Sequence, residues 1–255
     1  MNAPLDIRLM NATAAVLCAL AVLAFLWAAA SWVVRWPAFS IRAIRIDGDV
    51  ARNSAATIRA NALPRLSGNL FTLDLPRSQQ AFQAVPWVRQ AVVRRVWPNR
   101  LAVTLEEHVP VAYWRGAKGE DRIVNSFGEV FEANLGDVED ENLPVLSGPE
   151  GSSAQVLALY REASPVLARL GGAITVLSLS ERGHWRAELD NGARIELGRG
   201  EAGEVLARID RLVATIGQVT ARYPGPLESA DLRHRDGYAV RIRGVTTQTT
   251  PATRN

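Results

Sequence analysis

The side chains best suited to chemistry are scattered along this sequence. The three histidines, His108, His184 and His234, stand far apart, and none has a second histidine at the i+2 or i+4 spacing of a metal site. Cys18 is the single cysteine, which excludes a disulfide within the chain and a cysteine-pair metal site. No serine lies in a GxSxG motif, and no pair of acids stands out for glycoside cleavage. We therefore expect no enzymatic activity, no metal and no cofactor.

The segment LGRG at 197–200 invites comparison with a phosphate-binding loop because it precedes a predicted helix. It lacks the P-loop lysine and the spaced glycines of GxGxxG. We interpret it as a helix-entry loop that presents Arg199.

The charges favour no nucleic-acid partner. The chain carries 29 basic and 26 acidic residues, interspersed, for a net charge of +3, whereas affinity for nucleic acid grows with the number of phosphates that a basic surface neutralises. The stretch PWVRQAVVRRVWPNR at 86–100 is rich in arginine. These arginines can form a solvated face paired with Glu106 and Glu107, or a surface that docks another protein. A phosphate-binding patch is the least supported of the three.

An apolar run from Leu9 to Val34 contains no charged residue. It is about 26 residues long and spans roughly 39 Å as a helix, enough to cross a ~30 Å hydrocarbon layer. Trp27, Trp32 and Trp36 lie toward one end, where aromatic rings favour the membrane interface. A cleaved signal peptide is the alternative, but the run exceeds a 7–15-residue signal core. We predict a transmembrane helix over 9–35, preceded by a cytoplasmic tail at 1–8.

Flanking charge does not fix the orientation of this helix. Arg8 and Asp6 precede it, whereas Arg35, Arg42 and Arg45 follow it. A literal positive-inside count places the large domain in the cytoplasm, yet long translocated domains cross largely regardless of charge.

The region 39–114 predicts a small strand-helix-helix-strand-strand domain. FSIRAIRI forms the first strand, Asn53 or Ser54 caps the first helix, and Asp74 caps the second. A turn at Trp97–Arg100 separates two strands, a hairpin whose first strand projects its arginines outward.

The region 115–244 predicts an antiparallel β domain with helices packed on it, so the fold class is α+β. One helix follows Ser152 or Ser153, a three-strand meander covers 171–200, and a long helix begins near Glu201. Two strands close the domain, the last from Tyr238 to Arg243. A polar tail at 245–255 is expected to be disordered.

Four segments carry a resemblance to a known family. They are PWVRQAVVRRVWPNRLAVTLEEHVPVAYW, LPVLSGPEG, LGRGEAGEVLARI and ADLRHRDGYAV, in that order along the chain. Together they resemble the FtsQ/DivIB family of bacterial cell-division proteins. The resemblance implies a single-pass inner-membrane protein with a cytoplasmic N-terminus, a periplasmic POTRA domain and a periplasmic β domain at the division septum. It implies a non-enzymatic scaffold that binds FtsB and FtsL and contacts FtsK, FtsW and FtsI.

The resemblance also nominates site residues. The implied FtsB/FtsL-binding set, on the last strands and the LGRG loop, is Arg199, Arg233, His234, Asp236, Gly237 and Tyr238. The family often has tyrosine where this chain has His234, and serine where it has Asp236. On the POTRA hairpin, Val93 and Arg95 correspond to a recruitment face, through FtsK. We expect the last strand to lie at a sheet edge, where a partner segment adds by β-augmentation.

Two alternatives from other classes stand beside this interpretation. One is a POTRA-containing secretion or outer-membrane assembly component, which normally has tandem POTRA repeats or continues into a β-barrel. The other is an anchored periplasmic cell-wall-binding protein, which needs a cleft of converging acids or aromatic side chains.

Overall fold

A computed structural model describes residues 5–48, 50–116, 119–234 and 237–245. The chain divides into two compact units, Met1–Glu107 and His108–Asn255, and each is described by itself. The tail predicted at 245–255 lies outside the described residues apart from Val245.

The first unit begins with a long helix, α1 (Leu5–Val34). The helix therefore begins within the predicted tail at 1–8. Its segment Met10–Val34 has a mean hydropathy of 2.3, and no part of the most apolar window is buried by the rest of the chain. The rings of Trp32 and Trp36 lie 4.4 Å apart at its end. This helix fits a single-pass membrane anchor.

The rest of the first unit follows the predicted strand-helix-helix-strand-strand order. Its elements are β1 (Ala43–Gly48), α2 (Ala55–Ala62), α3 (Leu75–Gln83), β2 (Val88–Val96) and β3 (Arg100–Glu107). The sheet order is β1-β3-β2, with β1 parallel and β2 antiparallel to the central β3.

Side-chain caps start both short helices as predicted. The Ser54 hydroxyl accepts a hydrogen bond from the backbone N–H of Thr57 at 3.1 Å. The Asp74 carboxylate accepts one from the N–H of Arg77 at 3.0 Å. Each cap satisfies a donor that the first turn of a helix leaves without an intrahelical partner.

The core of this unit lies between the two helices and one face of the sheet. Ile58 and Phe82 of the helices meet Leu101 and Val103 of β3 there. Glu107 is also buried, and its carboxylate accepts hydrogen bonds from the backbone N–H groups of Arg52 and Asn53 and from the Asn53 side chain. The buried charge is therefore stabilised by donors rather than by a cation.

The arginines of the hairpin do not share one face. Arg89 pairs across the strands with Glu106 at 2.8 Å, and Arg94 is exposed. Arg95 is also exposed, and it donates to the carbonyl of Leu73 at 2.7 Å, on the loop before α3. Arg94 and Arg95 therefore reach solvent from opposite faces of the sheet, because neighbouring residues of a strand point to opposite faces.

The second unit is a nine-stranded sheet with two long helices. Its strands are β4 (Pro110–Arg115), β5 (Asp121–Asn125), β6 (Val130–Phe131), β7 (Val145–Ser147), β8 (Ile174–Leu179), β9 (His184–Leu189), β10 (Arg194–Arg199), β11 (Leu227–Asp231) and β12 (Ala239–Ile242). The helices are α4 (Ser153–Leu167) and α5 (Ala202–Arg222). The strand order is β12-β11-β10-β9-β8-β7-β4-β5-β6.

The α+β class is confirmed, but this sheet is mixed rather than antiparallel. The pairs β4–β7, β7–β8 and β10–β11 are parallel. Helix α4 connects β7 to β8, and helix α5 connects β10 to β11, as parallel neighbours require a crossover. Because β4 pairs with β5 and β7, residues 110–114 belong to the second unit. The sequence-based boundary at 114 had assigned them to the first.

The core of the second unit lies under α4 and α5. On α5, Val205, Ile209 and Leu212 are buried at helical spacing. Trp185 of β9 and Leu197 of β10 are fully buried in the same cluster. The core therefore fixes the strands β9 and β10, whose ends carry the candidate site.

Candidate partner-binding site

Among the described residues, strand β12 forms one edge of the nine-stranded sheet, and its pairing partner is β11. The backbone N–H of Arg243 donates to the carbonyl of Pro226 on the β11 side at 3.0 Å. Since backbone groups alternate in direction along an antiparallel strand, those of Val240 and Ile242 point away from β11. Of these, the Ile242 carbonyl already accepts a hydrogen bond from the N–H of Val245 at 3.2 Å, which leaves the N–H and carbonyl of Val240 and the N–H of Ile242. The structure thus places the last strand at an edge, as predicted, with backbone groups available to an added strand.

An apolar groove runs beside this edge, between β12 and the C-terminal half of α5. It has a volume of about 300 Å³. Its lining includes Val219 from α5 and Tyr223, the residue after that helix, with Val240 and Ile242 from β12. Arg241 also lines it. The groove can take an apolar side chain from a segment that lies along β12.

The LGRG loop lies at the end of β10, next to the chain that leaves β11. A β-bulge at Glu196–Gly198 interrupts the pairing with β9, which resumes at Gly198 and Arg199. Gly198 has a φ of +85°. A Cβ on Gly198 would lie 2.6 Å from Arg208 Nη1 and 3.4 Å from the Cα of Arg233. Glycine therefore allows the left-handed backbone and the close approach together. Arg208 also donates to the carbonyl of Arg199.

Arg199 is exposed at the end of β10, as predicted. Its Nε donates to Nε2 of His184, its cross-strand neighbour on β9, at 2.8 Å. This geometry requires His184 to carry no proton on Nε2. The guanidinium is thus oriented by a side chain that sequence reasoning did not include in the site.

Arg233 is exposed just after β11, and its guanidinium is held by Asp231. Its Nε and Nη2 donate to the Asp231 carboxylate at 2.9 and 2.6 Å. These hydrogen bonds lower the pKa of Asp231 from 3.8 to about 2. One side of the Arg233 guanidinium is therefore already occupied. Within the described residues its Nη1 makes no hydrogen bond.

The other nominated residues lie on the connection between β11 and β12. His234 is exposed and Gly237 is half-buried, whereas Asp236 lies outside the described residues. Tyr238 is half-buried against the core, and its hydroxyl makes a 2.6 Å hydrogen bond with Thr215 of α5. The Tyr238 ring therefore packs on the helix. Only the outer surface of this ring can contact a partner in place of His234.

Val93 and Arg95, nominated as a recruitment face, are placed differently by the structure. Val93 is 8% exposed and belongs to the core of the first unit. Arg95 reaches the loop before α3. Val93 is therefore a packing residue, and the exposed valine of that pair is its neighbour Val92.

Sequence reasoning missed the residues that support the site. The spacing of Asp231 and Arg233, two apart at a strand end, could have predicted their pair. His184 and the groove depend on which strands become neighbours, which local pattern does not show. Across the ranges that the structure describes, no group of three or more histidine, cysteine, aspartate or glutamate side chains is placed to hold a metal.

Comparisons with known proteins match both units. Residues 39–108 match the family description "POTRA domain, FtsQ-type", and residues 112–233 match "Cell division protein FtsQ/DivIB, C-terminal". The cell division protein FtsQ of Burkholderia pseudomallei is 44% identical over 241 residues, covering 94% of each chain. FtsQ of Thiomonas arsenitoxydans is 40% identical over 95% of this chain and 89% of the relative. FtsQ of Neisseria meningitidis is 30% identical over 87% of this chain and 91% of the relative.

These relatives cover the anchor helix, the strand-helix-helix-strand-strand unit and the nine-stranded unit together. The resemblance first seen in four short segments is confirmed over nearly the whole chain, and with it a role in cell division. The chain belongs to the FtsQ/DivIB family of cell-division proteins.

Proposed function

We propose that this protein is a non-enzymatic scaffold of the divisome that binds FtsB and FtsL through the free edge of β12. In this proposal α1 is an inner-membrane anchor with the N-terminus in the cytoplasm, and both units lie in the periplasm at the septum. The single observation that carries the proposal is that β12 pairs with β11 on one side and ends the sheet on the other.

A segment of FtsB adds to β12 as a tenth strand. The N–H and carbonyl of Val240 and the N–H of Ile242 supply its main-chain hydrogen bonds, and the groove beside α5 takes an apolar side chain. Because the side chains of β12 that face α5 already pack on the core, the groove is preformed and little is lost in ordering it.

The charges around β12 select an acidic partner. Arg199 and Arg233 flank the connection that leads into the strand, and Arg241 lines the groove. The Nη1 group of Arg233 can donate to a partner carboxylate while Asp231 holds the rest of the guanidinium. His234, Asp236 and Gly237 complete the proposed surface on the same connection.

The first unit serves recruitment in this proposal, through contacts with FtsK and with FtsW and FtsI. Arg95 and the exposed residues of the hairpin are the part of this surface that the structure leaves accessible. Val93 is excluded from direct contact by its burial.

The test is calorimetric titration of the full-length protein, in detergent micelles, with the periplasmic segment of the cognate FtsB. Val240→Pro removes an N–H that faces the open edge, whereas Val240→Ala keeps it and trims the same side chain. We expect Val240→Pro to weaken binding by at least about tenfold, ~1.4 kcal/mol, and Val240→Ala to cause a smaller loss. Wild-type affinity in a folded Val240→Pro variant would contradict the augmentation.

The arginines are tested in the same titration. Arg199→Glu and Arg233→Glu should each abolish capture of the FtsB segment, because each replaces a donor with a charge that repels an acidic partner. Circular dichroism confirms that the variants are folded. Unchanged affinity in both would reject this surface.

A further inference from the structure

The first unit has a free sheet edge of its own. Strand β1 pairs with β3 on one side and lies at the end of the sheet. It is six residues long, so it offers a longer edge than the four-residue β12. An open edge of this length is a template for another strand.

An apolar groove lies beside β1, between the strand and α2. It has a volume of about 400 Å³, and we call it the β1 groove. Its apolar lining comprises Ile41, Ala43, Ile44, Ile46, Ile58, Leu63 and Phe82. Ile44 and Ile46 are half-buried, and Leu63 is 40% exposed. Within one domain such a lining normally packs against another element, so the groove is suited to side chains from outside.

Two arginines complete the lining of the β1 groove. Arg42 and Arg59 are both exposed. Across the described residues, neither guanidinium is engaged in a hydrogen bond or an ion pair. Neighbouring Arg45 differs, because it pairs with Asp47 at 2.9 Å. The β1 groove therefore combines an apolar floor with two cations that have no counter-charge within the part of the chain that the structure describes.

We infer that β1 and its groove bind an extended segment of a partner protein, which adds to the sheet as a fourth strand. Alternate side chains of an added strand face the groove and the open face of the sheet. The side chains that face the groove therefore include aliphatic ones, which contact its apolar lining, and acidic ones where the segment passes Arg42 and Arg59. Main-chain hydrogen bonds align it, and these side chains select it.

The position of β1 in the chain indicates where that segment comes from. Ile41 follows Val34, the end of α1, by about seven residues, and an extended chain spans at most ~3.6 Å per residue. The groove thus lies within roughly 25 Å of the end of the anchor helix. A partner that presents its strand here is itself anchored in the membrane, with the strand close after its own spanning helix.

This binding is independent of the proposed function at β12. The β1 groove is built only from residues of the first unit, whereas the FtsB surface belongs to the second. A Val240→Pro variant should therefore retain binding at β1, and variants of the β1 groove should retain capture of FtsB.

The experiment uses fluorescence anisotropy of a labelled peptide as long as β1 and the full-length protein in nanodiscs of neutral lipid. The groove-facing positions of the peptide carry valine and glutamate, and its alternate positions carry threonine. The peptide should bind and should protect the amides of β1 from hydrogen exchange. Two further peptides carry N-methyl groups on alternate residues. The first is methylated on its odd-numbered residues and the second on its even-numbered residues. One set faces β1 and the other faces solvent, so one N-methylated peptide should lose binding and the other should keep it. Equal affinity of both peptides for the protein, or no binding of the parent peptide, would overturn the inference.

Matched substitutions test the charges. Arg59→Glu and Arg42→Glu should each weaken binding by about tenfold, in line with a desolvated charge pair. Arg94→Glu is the control, because Arg94 is exposed on β2, the strand at the opposite edge of the same sheet. Three strand spacings, about 14 Å, separate it from an added strand, which exceeds the Debye length of ~8 Å in physiological salt. Equal losses in all three variants would show a general charge effect and reject a specific groove.

Other occupants give distinct results that would also overturn the inference. If the groove binds lipid headgroups, anionic nanodiscs should displace the peptide from the wild-type protein. The Arg59→Glu substitution should abolish that displacement. If it binds a second copy of this chain, sedimentation should show a dimer that the peptide dissociates. The inference predicts neither displacement nor a dimer.

Discussion

Arg199 Nε donates a hydrogen bond to Nε2 of His184 at 2.8 Å, across the antiparallel pair of β9 and β10. The backbone of the same arginine is also held, because Arg208 donates a hydrogen bond to its carbonyl oxygen. An exposed cation that would otherwise sample many rotamers is thus oriented before any partner arrives. Preorganisation of this kind reduces the entropy lost on binding.

His184 should therefore influence FtsB binding without contacting FtsB. We expect His184→Ala to weaken calorimetric binding by about three- to tenfold, the effect of one hydrogen bond of ~0.5–1.5 kcal/mol. The same substitution in an Arg199→Ala background should have no further effect, because the two residues act through one contact. Arg182→Ala, at an exposed position of the turn before β9, is the control. Additive losses in the double variant would contradict a positioning role.

The pair of Asp231 and Arg233 should persist across all physiological pH values. The pKa of Asp231 is about 2 when folded, against 3.8 for an ordinary aspartate. Because the folded value is the lower one, the stabilisation is complete above about pH 4 and is lost as pH falls through about 2. Carboxyl carbon shifts in an NMR titration should show this directly. Arg233→Gln should move the midpoint of Asp231 back toward its ordinary value, and an unchanged midpoint would refute the pairing.

Gly198 should tolerate no side chain, whereas a glycine on the following helix should. At a φ of +85°, Gly198→Ala is expected to lower the free energy of unfolding by about 1–2 kcal/mol. Gly203 lies in α5 with no atom near the position of a Cβ. Gly203→Ala should therefore raise stability by ~0.5–1 kcal/mol, because alanine favours a helix. Urea denaturation compares the two, and losses of equal size would show that backbone conformation is not the cause.

Substitutions at Val93 and at its neighbour Val92 should have different effects on the stability of the first unit. Val93 is 8% exposed and Val92 is 36% exposed. We expect Val93→Asp to destabilise the unit by about 3 kcal/mol or more, because it buries a charge without a partner. Val92→Asp should cost less than ~1 kcal/mol. Denaturation monitored by tryptophan fluorescence, with Trp87 in the core, measures both. Similar stability of the two variants would disprove the assigned orientation of β2.

The local structure of this protein was predictable wherever a side chain acts on residues next to it in the sequence. Ser54 and Asp74 cap helices because their side chains reach an N–H within the first turn. The turn at 97–100 separates two strands because proline cannot continue the ladder. The apolar run before residue 35 could form little other than a spanning helix. These features depend on neighbours in sequence.

The features that local pattern could not predict depend on long-range register. Val92 and Val93 are adjacent and both β-branched, so a period of two does not show which one faces the core. A bulge near the start of β2 further shifts the alternation. The parallel pairing of β10 with β11 arises because α5 carries the chain across the sheet. The contact of Arg199 with His184 follows from that register and from no motif.

The brevity of β12 has a consequence for the affinity of any strand added to it. The strand has four residues, and among the described residues its outward main-chain groups without a partner are the N–H and carbonyl of Val240 and the N–H of Ile242. At ~0.5–1.5 kcal/mol for each net hydrogen bond, three such groups supply about 1.5–4.5 kcal/mol, at or below the lower end of the ~4–15 kcal/mol that immobilising two molecules costs. In the proposed complex, the apolar and acidic side chains of the partner must therefore provide most of the binding free energy.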